Sequence, residues 1–281
     1  MKNFKLLLLI VVVFLSISSC KKSNQTPNEE EAVNEPTPTP NNFKKIGETY
    51  IVGAKAKATI YSPKDLETGY NEIYIALNDS IDGTSLTNGT LSLTPLMNMG
   101  SMTHGCPVEN PVGNSAVDGY FKAAVIFSMP GSSSEWSLKL NFLNNKNGLS
   151  GNGSININVA LSSPAKFKST TLALDSSKKV FISLIEPTAP KVGINNFEIV
   201  LHQKYNSNYY PAINNYSIEI IPEMPSMNHG SPNNVNPVNV GNGHYKGKVN
   251  YTMTGLWYVR LKIYKNGSVI SSDQYFEMTL N

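Results

Sequence analysis

Two short segments of this sequence combine methionine and histidine at the same spacing. Residues 99–105 read MGSMTHG and residues 224–230 read MPSMNHG, so each has two methionines three positions apart, then histidine and glycine. Thioether sulfur is a soft, neutral ligand that suits Cu(I), and imidazole binds Cu(I), Cu(II) and Zn. The pattern therefore predicts one Cu(I) site in each segment.

The predicted ligand set contains four residues in each half of the chain. Three come from the segment itself, and a methionine at the end of a following strand is the candidate for completing the set. The ligands are Met99, Met102, His104 and Met129 in the first half, and Met224, Met227, His229 and Met253 in the second. Nearly all the methionines of the chain belong to these two groups once Met97 is counted with the first.

A packing role for the same residues is the open alternative. Methionine is flexible and fills irregular gaps in protein cores, and glycine and proline give sharp turns. A duplicated domain repeats structural residues as readily as functional ones. Cys106 could strengthen a Cu(I) site, but the sequence favours a small buried hydrophobic residue there. His202 and His244 each occur in only one half, which predicts surface or turn positions for them.

An internal repeat indicates which elements must position these residues. The segment GYNEIYIAL begins at residue 69 and its counterpart GINNFEIVL at residue 193, an offset of 124. The segments GYFKAAVIFSM at 119–129 and GHYKGKVNYTM at 243–253 have the same offset, and a tryptophan follows each one. The Met/His segments at 99 and 224 are offset by 125, and a nearly constant offset over this length indicates a duplicated domain.

The apolar pattern within each copy is that of β-strands. Segments such as EIYIAL, LSLTPL and LWYVRLKIY either alternate apolar and polar residues or are apolar throughout, and they are rich in β-branched and aromatic residues. No window of the sequence has apolar residues at the spacing of an amphipathic helix. About seven short strands in about 115 residues predict an immunoglobulin-like sandwich with a central tryptophan. We therefore predict an all-β chain with two tandem immunoglobulin-like domains, at residues 42–161 and 166–281.

The amino terminus has the features of an exported lipoprotein. Two lysines precede the apolar run LLLLIVVVFL, which has the length of a signal-peptide core, and the run leads to ISSC. This ending resembles a bacterial lipobox, which implies cleavage of residues 1–19 and lipidation of Cys20. Residues 20–41 are rich in Asn, Glu, Thr and Pro and predict a disordered tether. The predicted location is the bacterial cell envelope, outside the cytoplasm.

The charge, cysteine and motif content excludes several classes of function. Cleavage leaves 21 of the 23 basic residues against 20 acidic ones, which argues against a nucleic-acid partner. Once Cys20 carries lipid, Cys106 is the only remaining thiol, so no internal disulfide is expected. No nucleophile elbow, zincin motif or phosphate loop is present, and Glu109 has no acidic counterpart in the second copy. We therefore expect no enzymatic activity.

The second copy resembles a known family. Residues 222–261 read PEMPSMNHGSPNNVNPVNVGNGHYKGKVNYTMTGLWYVRL, which is similar to the YtkA-like domain, a relative of FixH-type domains. The first copy keeps MGSMTHGCP, GYF and SMPG, with its tryptophan displaced. The resemblance implies immunoglobulin-like sandwiches outside the cytoplasm, some of them linked to copper handling or cytochrome oxidase assembly.

Two functions follow from these observations. The first is a lipid-anchored protein that binds or delivers Cu(I), with no other cofactor. The alternative is a non-catalytic envelope lipoprotein that contacts another protein or a glycan, with the Met/His loops purely structural.

Overall fold

The computed structural model describes residues 43–172 and 175–281, without the side chains of residues 175–177. The predicted signal peptide, Cys20 and the tether lie outside the described residues. Within them, no helix is long and apolar enough to cross a membrane.

The first sandwich consists of two antiparallel sheets. One sheet has the strand order β1-β2-β3-β7-β6 and the other β5-β4-β8-β9. The strands are β1 (Lys44–Ile51), β2 (Ala56–Ser62), β3 (Gly69–Asp79), β4 (Gly89–Asn98), β5 (Thr103–His104), β6 (Val108–Glu109), β7 (Phe121–Phe127), β8 (Gly131–Asn144) and β9 (Leu149–Val159).

The second sandwich repeats this arrangement strand for strand. Its sheets have the orders β10-β11-β12-β16-β15 and β14-β13-β17-β18. The strands are β10 (Phe167–Leu172), β11 (Asp175–Glu186), β12 (Gly193–Lys204), β13 (Ser217–Met224), β14 (His229–Gly230), β15 (Val235–Gly241), β16 (His244–Tyr251), β17 (Gly255–Lys265) and β18 (Ser268–Leu280).

This strand order is that of an immunoglobulin-like sandwich. If the first strand of each copy is set aside as an addition at the sheet edge, the remaining eight follow the orders A-B-E-D and C′-C-F-G. The predicted all-β fold with two tandem immunoglobulin-like sandwiches is therefore confirmed.

The cores lie between the sheets because the strands alternate in hydrophobicity. In β17, Trp257, Val259, Leu261 and Ile263 are buried, and the residues between them are partly exposed, as a period of two requires. Trp136 and Trp257 are both 0% exposed, each within the core of its own sandwich.

The two sandwiches touch each other and belong to one compact unit. The strands of the first end at Val159 and those of the second begin at Phe167. Hydrogen bonds cross between them at Gly105 and at Glu109. The predicted division into separate domains at residues 161–166 stays a prediction.

Candidate functional site

In the first sandwich, one methionine lies between a histidine and a tryptophan. Met97 on β4 pairs with His104 on β5 on one side and with Trp136 on β8 on the other. Residues directly opposite each other in antiparallel strands project from the same face of the sheet. Met97 is 3% exposed, and the rings of His104 and Trp136 meet edge to face with centroids 5.9 Å apart. Imidazole, thioether and indole therefore form one row, which we call the first Met/His/Trp row.

The second sandwich contains the same row. Met224 at the end of β13 pairs with His229 on β14. The register of β13 with β17 runs to Glu223–Tyr258, so the next position brings Met224 level with Trp257. The ring centroids of His229 and Trp257 are 5.8 Å apart. Met224, His229 and Trp257 form the second Met/His/Trp row.

A glycine gives each methionine its place beside the tryptophan. A Cβ atom added to Gly131 would lie 3.0 Å from Met97 Cε and 2.7 Å from Trp136 Cδ1, closer than real side chains tolerate. A Cβ atom on Gly255, the first residue of β17 as Gly131 is of β8, would lie 3.1 Å from Met224 Cε. The terminal methyl group of each methionine thus packs against the backbone of a glycine. A larger residue in place of Gly131 or Gly255 would displace that methyl group.

The methionines predicted to complete the ligand sets act through their backbone carbonyls. Trp136 Nε1 donates to the carbonyl oxygen of Met129 at 3.2 Å, and Trp257 Nε1 donates to that of Met253 at 3.0 Å. Each buried indole N–H is thereby satisfied. The side chains of Met129 and Met253 pack half-buried against their respective cores.

The strand register corrects the correspondence between the two loops. The M-x-x-M-x-H-G pattern aligns Met99 with Met224, but the residue that pairs with the histidine in the first sandwich is Met97. The first turn is two residues longer and is closed by Gly100 with φ +77°, whereas Asn228 with φ +48° closes the second. Met99 falls within the longer turn and is 47% exposed.

The second methionine of each motif lies at the surface. Met102 is 64% exposed and Met227 is 60% exposed. Of the predicted loop ligands, the structure therefore brings Met224 and His229 together in the second sandwich. In the first it brings His104 together with Met97, and it leaves Met99 and Met102 facing solvent.

The two histidines differ in their hydrogen bonds. His104 Nδ1 lies 2.9 Å from the carbonyl oxygen of Gly105, and His104 Nε2 is buried with no hydrogen-bond partner in the described part of the chain. His229 Nε2 instead lies 3.0 Å from Thr252 Oγ1. A carbonyl only accepts, so His104 Nδ1 carries the proton, and Nε2 of the neutral ring presents a bare lone pair.

Cys106 behaves as the small hydrophobic residue that the sequence favours. It is 4% exposed within the first core, and burial raises the pKa of its thiol well above the usual value. A neutral buried thiol is a poor metal ligand because the thiolate is the form that binds.

The prediction of surface or turn positions for His202 and His244 is wrong. His202 is 4% exposed, and the side chain of His244 is 17% exposed between Glu109 of the first sandwich and Glu198 of the second. Sequence reasoning also assigned the tryptophans to the core alone. A tryptophan follows each of the Met129 and Met253 segments, seven residues later in the first copy and four in the second, and this repetition was the available signal that the indole lines the site.

The comparisons with known proteins support the fold of the second copy. The model of the YtkA-like family matches residues 175–262, from the start of β11 into β17, which confirms the resemblance there. The relationship to FixH-type domains and the family of the first copy stay predictions. No curated protein matches this chain.

One solved structure similar to the chain belongs to FdeC, a broadly conserved Escherichia coli adhesin. The identity is 14% and the TM-score 0.27. The match covers 83% of this chain and 66% of that chain, slightly less than two-thirds of its length.

Proposed function

We propose that this chain is a lipid-anchored protein of the bacterial envelope whose Met/His/Trp rows bind Cu(I). The single observation that carries the proposal is His104 Nε2, a buried imidazole nitrogen without a hydrogen-bond partner among the described residues. Such an atom costs roughly 1–3 kcal/mol when left unsatisfied. A ligand that accepts its lone pair would remove that cost.

The donors around this nitrogen suit a soft monovalent cation. In the described residues, no three His, Cys, Asp or Glu side chains gather as a metal-binding group. The row offers a thioether and an imidazole as ligands instead, with an indole ring beside them. Neutral sulfur and nitrogen donors favour Cu(I) over hard cations. Met97 and His104 would hold the ion, and Trp136 would shield it from water.

The first row fits copper better than the second. In the second row, His229 Nε2 already shares a hydrogen bond with Thr252 Oγ1. Copper there would have to break that bond, whereas copper in the first row breaks none. The first row is therefore the tighter site, and the exposed Met102 and Met227 are placed at the surface where an ion would arrive.

The test is an anaerobic Cu(I) titration of the full-length chain in detergent against a chromophoric Cu(I) chelator. We expect tight binding to the wild type, loss of the tighter site in His104→Ala and loss of the weaker site in His229→Ala. If the double variant binds as much Cu(I) as the wild type, the rows are packing devices. The alternative of a non-catalytic protein that contacts a protein or glycan would then replace the copper proposal.

A further inference from the structure

The peptide that follows His104 is bound by the second sandwich. The Gly105 N–H donates to the carbonyl oxygen of Ser207 at 2.7 Å, and Tyr210 Oη donates to the carbonyl oxygen of Gly105 at 2.9 Å. Ser207 and Tyr210 belong to the loop between β12 and β13. Both polar groups of Gly105 are thus held by the other sandwich.

The same carbonyl oxygen determines the state of the His104 ring. It lies 2.9 Å from His104 Nδ1, so it accepts from the imidazole and from Tyr210 together, as its two lone pairs allow. If this carbonyl were free to rotate, the imidazole would lose the acceptor that keeps the proton on Nδ1. The proton of the neutral ring could then move to Nε2, which would no longer offer its lone pair to a ligand.

Tyr210 is itself held firmly. Its ring stacks on Phe181 with centroids 5.5 Å apart and an interplanar angle of 28°. Burial, helped by the nearby Cys106, raises the pKa of Tyr210 to about 12, so the hydroxyl remains a donor at neutral pH. The hydroxyl also lies 3.0 Å from the carbonyl oxygen of Ser207, so its single hydrogen is shared between two carbonyl acceptors, of which that of Gly105 is the nearer.

The second row has no such support in the described structure. The surroundings of Gly230 are open, with the nearest contact of an added Cβ atom at 3.6 Å, from the carbonyl oxygen of Pro222 in its own sandwich. The loop between β3 and β4, which corresponds to the loop of Tyr210, is three residues shorter: the Leu86 N–H donates to the carbonyl oxygen of Leu77, whereas the equivalent Ile213 N–H donates to that of Leu201. This shorter loop contains no tyrosine that could act on the second row as Tyr210 acts on the first.

We propose that Tyr210 of the second sandwich is a positioning residue for His104 of the first. It fixes the Gly105 carbonyl so that the imidazole keeps its proton on Nδ1 and offers Nε2 to a ligand. The first site is then complete only when the two sandwiches are docked. The claim about the ring stands on the hydrogen bonds alone, and the claim that Nε2 receives Cu(I) rests on the proposed function.

The test is Tyr210→Phe in the full-length chain, with Tyr209→Phe as the matched control. Phenylalanine preserves the stacking on Phe181 and removes only the hydroxyl, and Tyr209 is an adjacent tyrosine that is 56% exposed. The chain has four histidines, so ¹⁵N-histidine labelling gives a simple long-range ¹⁵N–¹H spectrum, and His104→Gln assigns the signal. Thermal unfolding of each variant checks that the fold is preserved.

Without copper, we expect the wild type and Tyr209→Phe to show His104 protonated on Nδ1, and Tyr210→Phe to shift toward protonation on Nε2. With Cu(I), we expect about a tenfold loss of affinity at the first site in Tyr210→Phe, the usual effect of removing an outer hydrogen bond to a ligand. If the histidine signal shifts but the wild type binds no Cu(I), the copper proposal fails and the positioning role stands. If Tyr210→Phe leaves the His104 signal unchanged, the positioning role is overturned.

Discussion

His244 Nε2 of the second sandwich lies 2.8 Å from Glu109 Oε1 of the first. Its other ring nitrogen, Nδ1, lies 2.7 Å from Glu198 Oε1. Ionised carboxylates only accept, so both nitrogens must carry protons and the ring is an imidazolium. Burial opposes this charge, but the hydrogen bonds to the two glutamates outweigh it and raise the pKa of His244 to about 9.

The surroundings of His244 reinforce the ion pair. Tyr70 Oη donates to Glu109 Oε2 at 3.1 Å, and Lys246 Nζ lies 3.2 Å from Glu198 Oε2. Glu72, Lys122 and Glu186 line the same cleft between the sandwiches. Tyr70 thus holds Glu109 within the first sandwich, and Lys246 holds Glu198 within the second. His244 binds both glutamates, so the cluster joins the two sandwiches.

The first prediction concerns the pH dependence of stability. Because the pKa of His244 is raised above its ordinary 6.5, its contribution is fully present below pH 6.5 and is lost as the pH rises through about 9. The pKa of Glu198 is lowered, so its contribution is present above pH 4.5 and is lost in acid. We expect this cluster to stabilise the chain most between about pH 4.5 and 6.5, as measured by denaturant unfolding.

His244→Gln is the control for that profile. We expect this variant to be about 1–3 kcal/mol less stable at pH 6.5 and to lose the decline between pH 6.5 and 9. Burial, together with the charge of His244, lowers the pKa of His202 to about 4, so His202 costs stability below pH 6.5 and the comparison is made above that pH. If the two proteins have parallel profiles from pH 6.5 to 9, His244 is not the ion that joins the sandwiches.

The second prediction tests the correspondence between the two loops. Met97 is buried beside Trp136, so Met97→Ala should cost about 2–5 kcal/mol of the free energy of unfolding. Met99 lies in the turn and is 47% exposed, so Met99→Ala should change stability by less than about 0.5 kcal/mol. Equal losses from the two substitutions, measured by urea unfolding, would show that the register assigns the wrong methionine.

The fold could be predicted from the sequence because it depends on a local signal. Alternation in segments such as residues 255–263 identifies strands and their buried faces, and the repeat offset shows that both halves share one topology. The loop correspondence could not be predicted in this way. Two extra residues in the first turn move the pairing from Met99 to Met97, and register depends on turn length as well as on pattern.

The contacts between the sandwiches lay beyond sequence reasoning for a different reason. Glu109 and His244 come from positions that do not correspond in the repeat, and so do Gly105 and Tyr210. These pairs form only because two folded sandwiches dock, and no local periodicity carries that information. His244 occurs in one copy only, and for that reason the sequence predicted a surface or turn position for it. In the structure it lies between glutamates of the two sandwiches.

The third prediction concerns the membrane anchor, which lies outside the described residues. If Cys20 carries lipid, Cys20→Ser should prevent lipid labelling and release the chain from the membrane fraction or leave the signal peptide uncleaved. Radiolabelled fatty-acid incorporation and membrane fractionation measure this, with Cys106→Ser as the control that keeps its label. If the Cys20→Ser variant incorporates as much fatty acid as the wild type, the prediction that Cys20 carries the lipid is wrong.

The most direct test of the copper proposal is X-ray absorption spectroscopy of the full-length chain loaded anaerobically with one equivalent of Cu(I). We expect an edge typical of Cu(I) and a first shell that contains sulfur at about 2.3 Å, the distance of comparable metal–sulfur bonds, together with an imidazole. Met97→Leu preserves volume and removes the donor, so it should lower the sulfur count. A shell of nitrogen and oxygen alone, identical in the wild type and in Met97→Leu, would contradict copper binding by the first Met/His/Trp row.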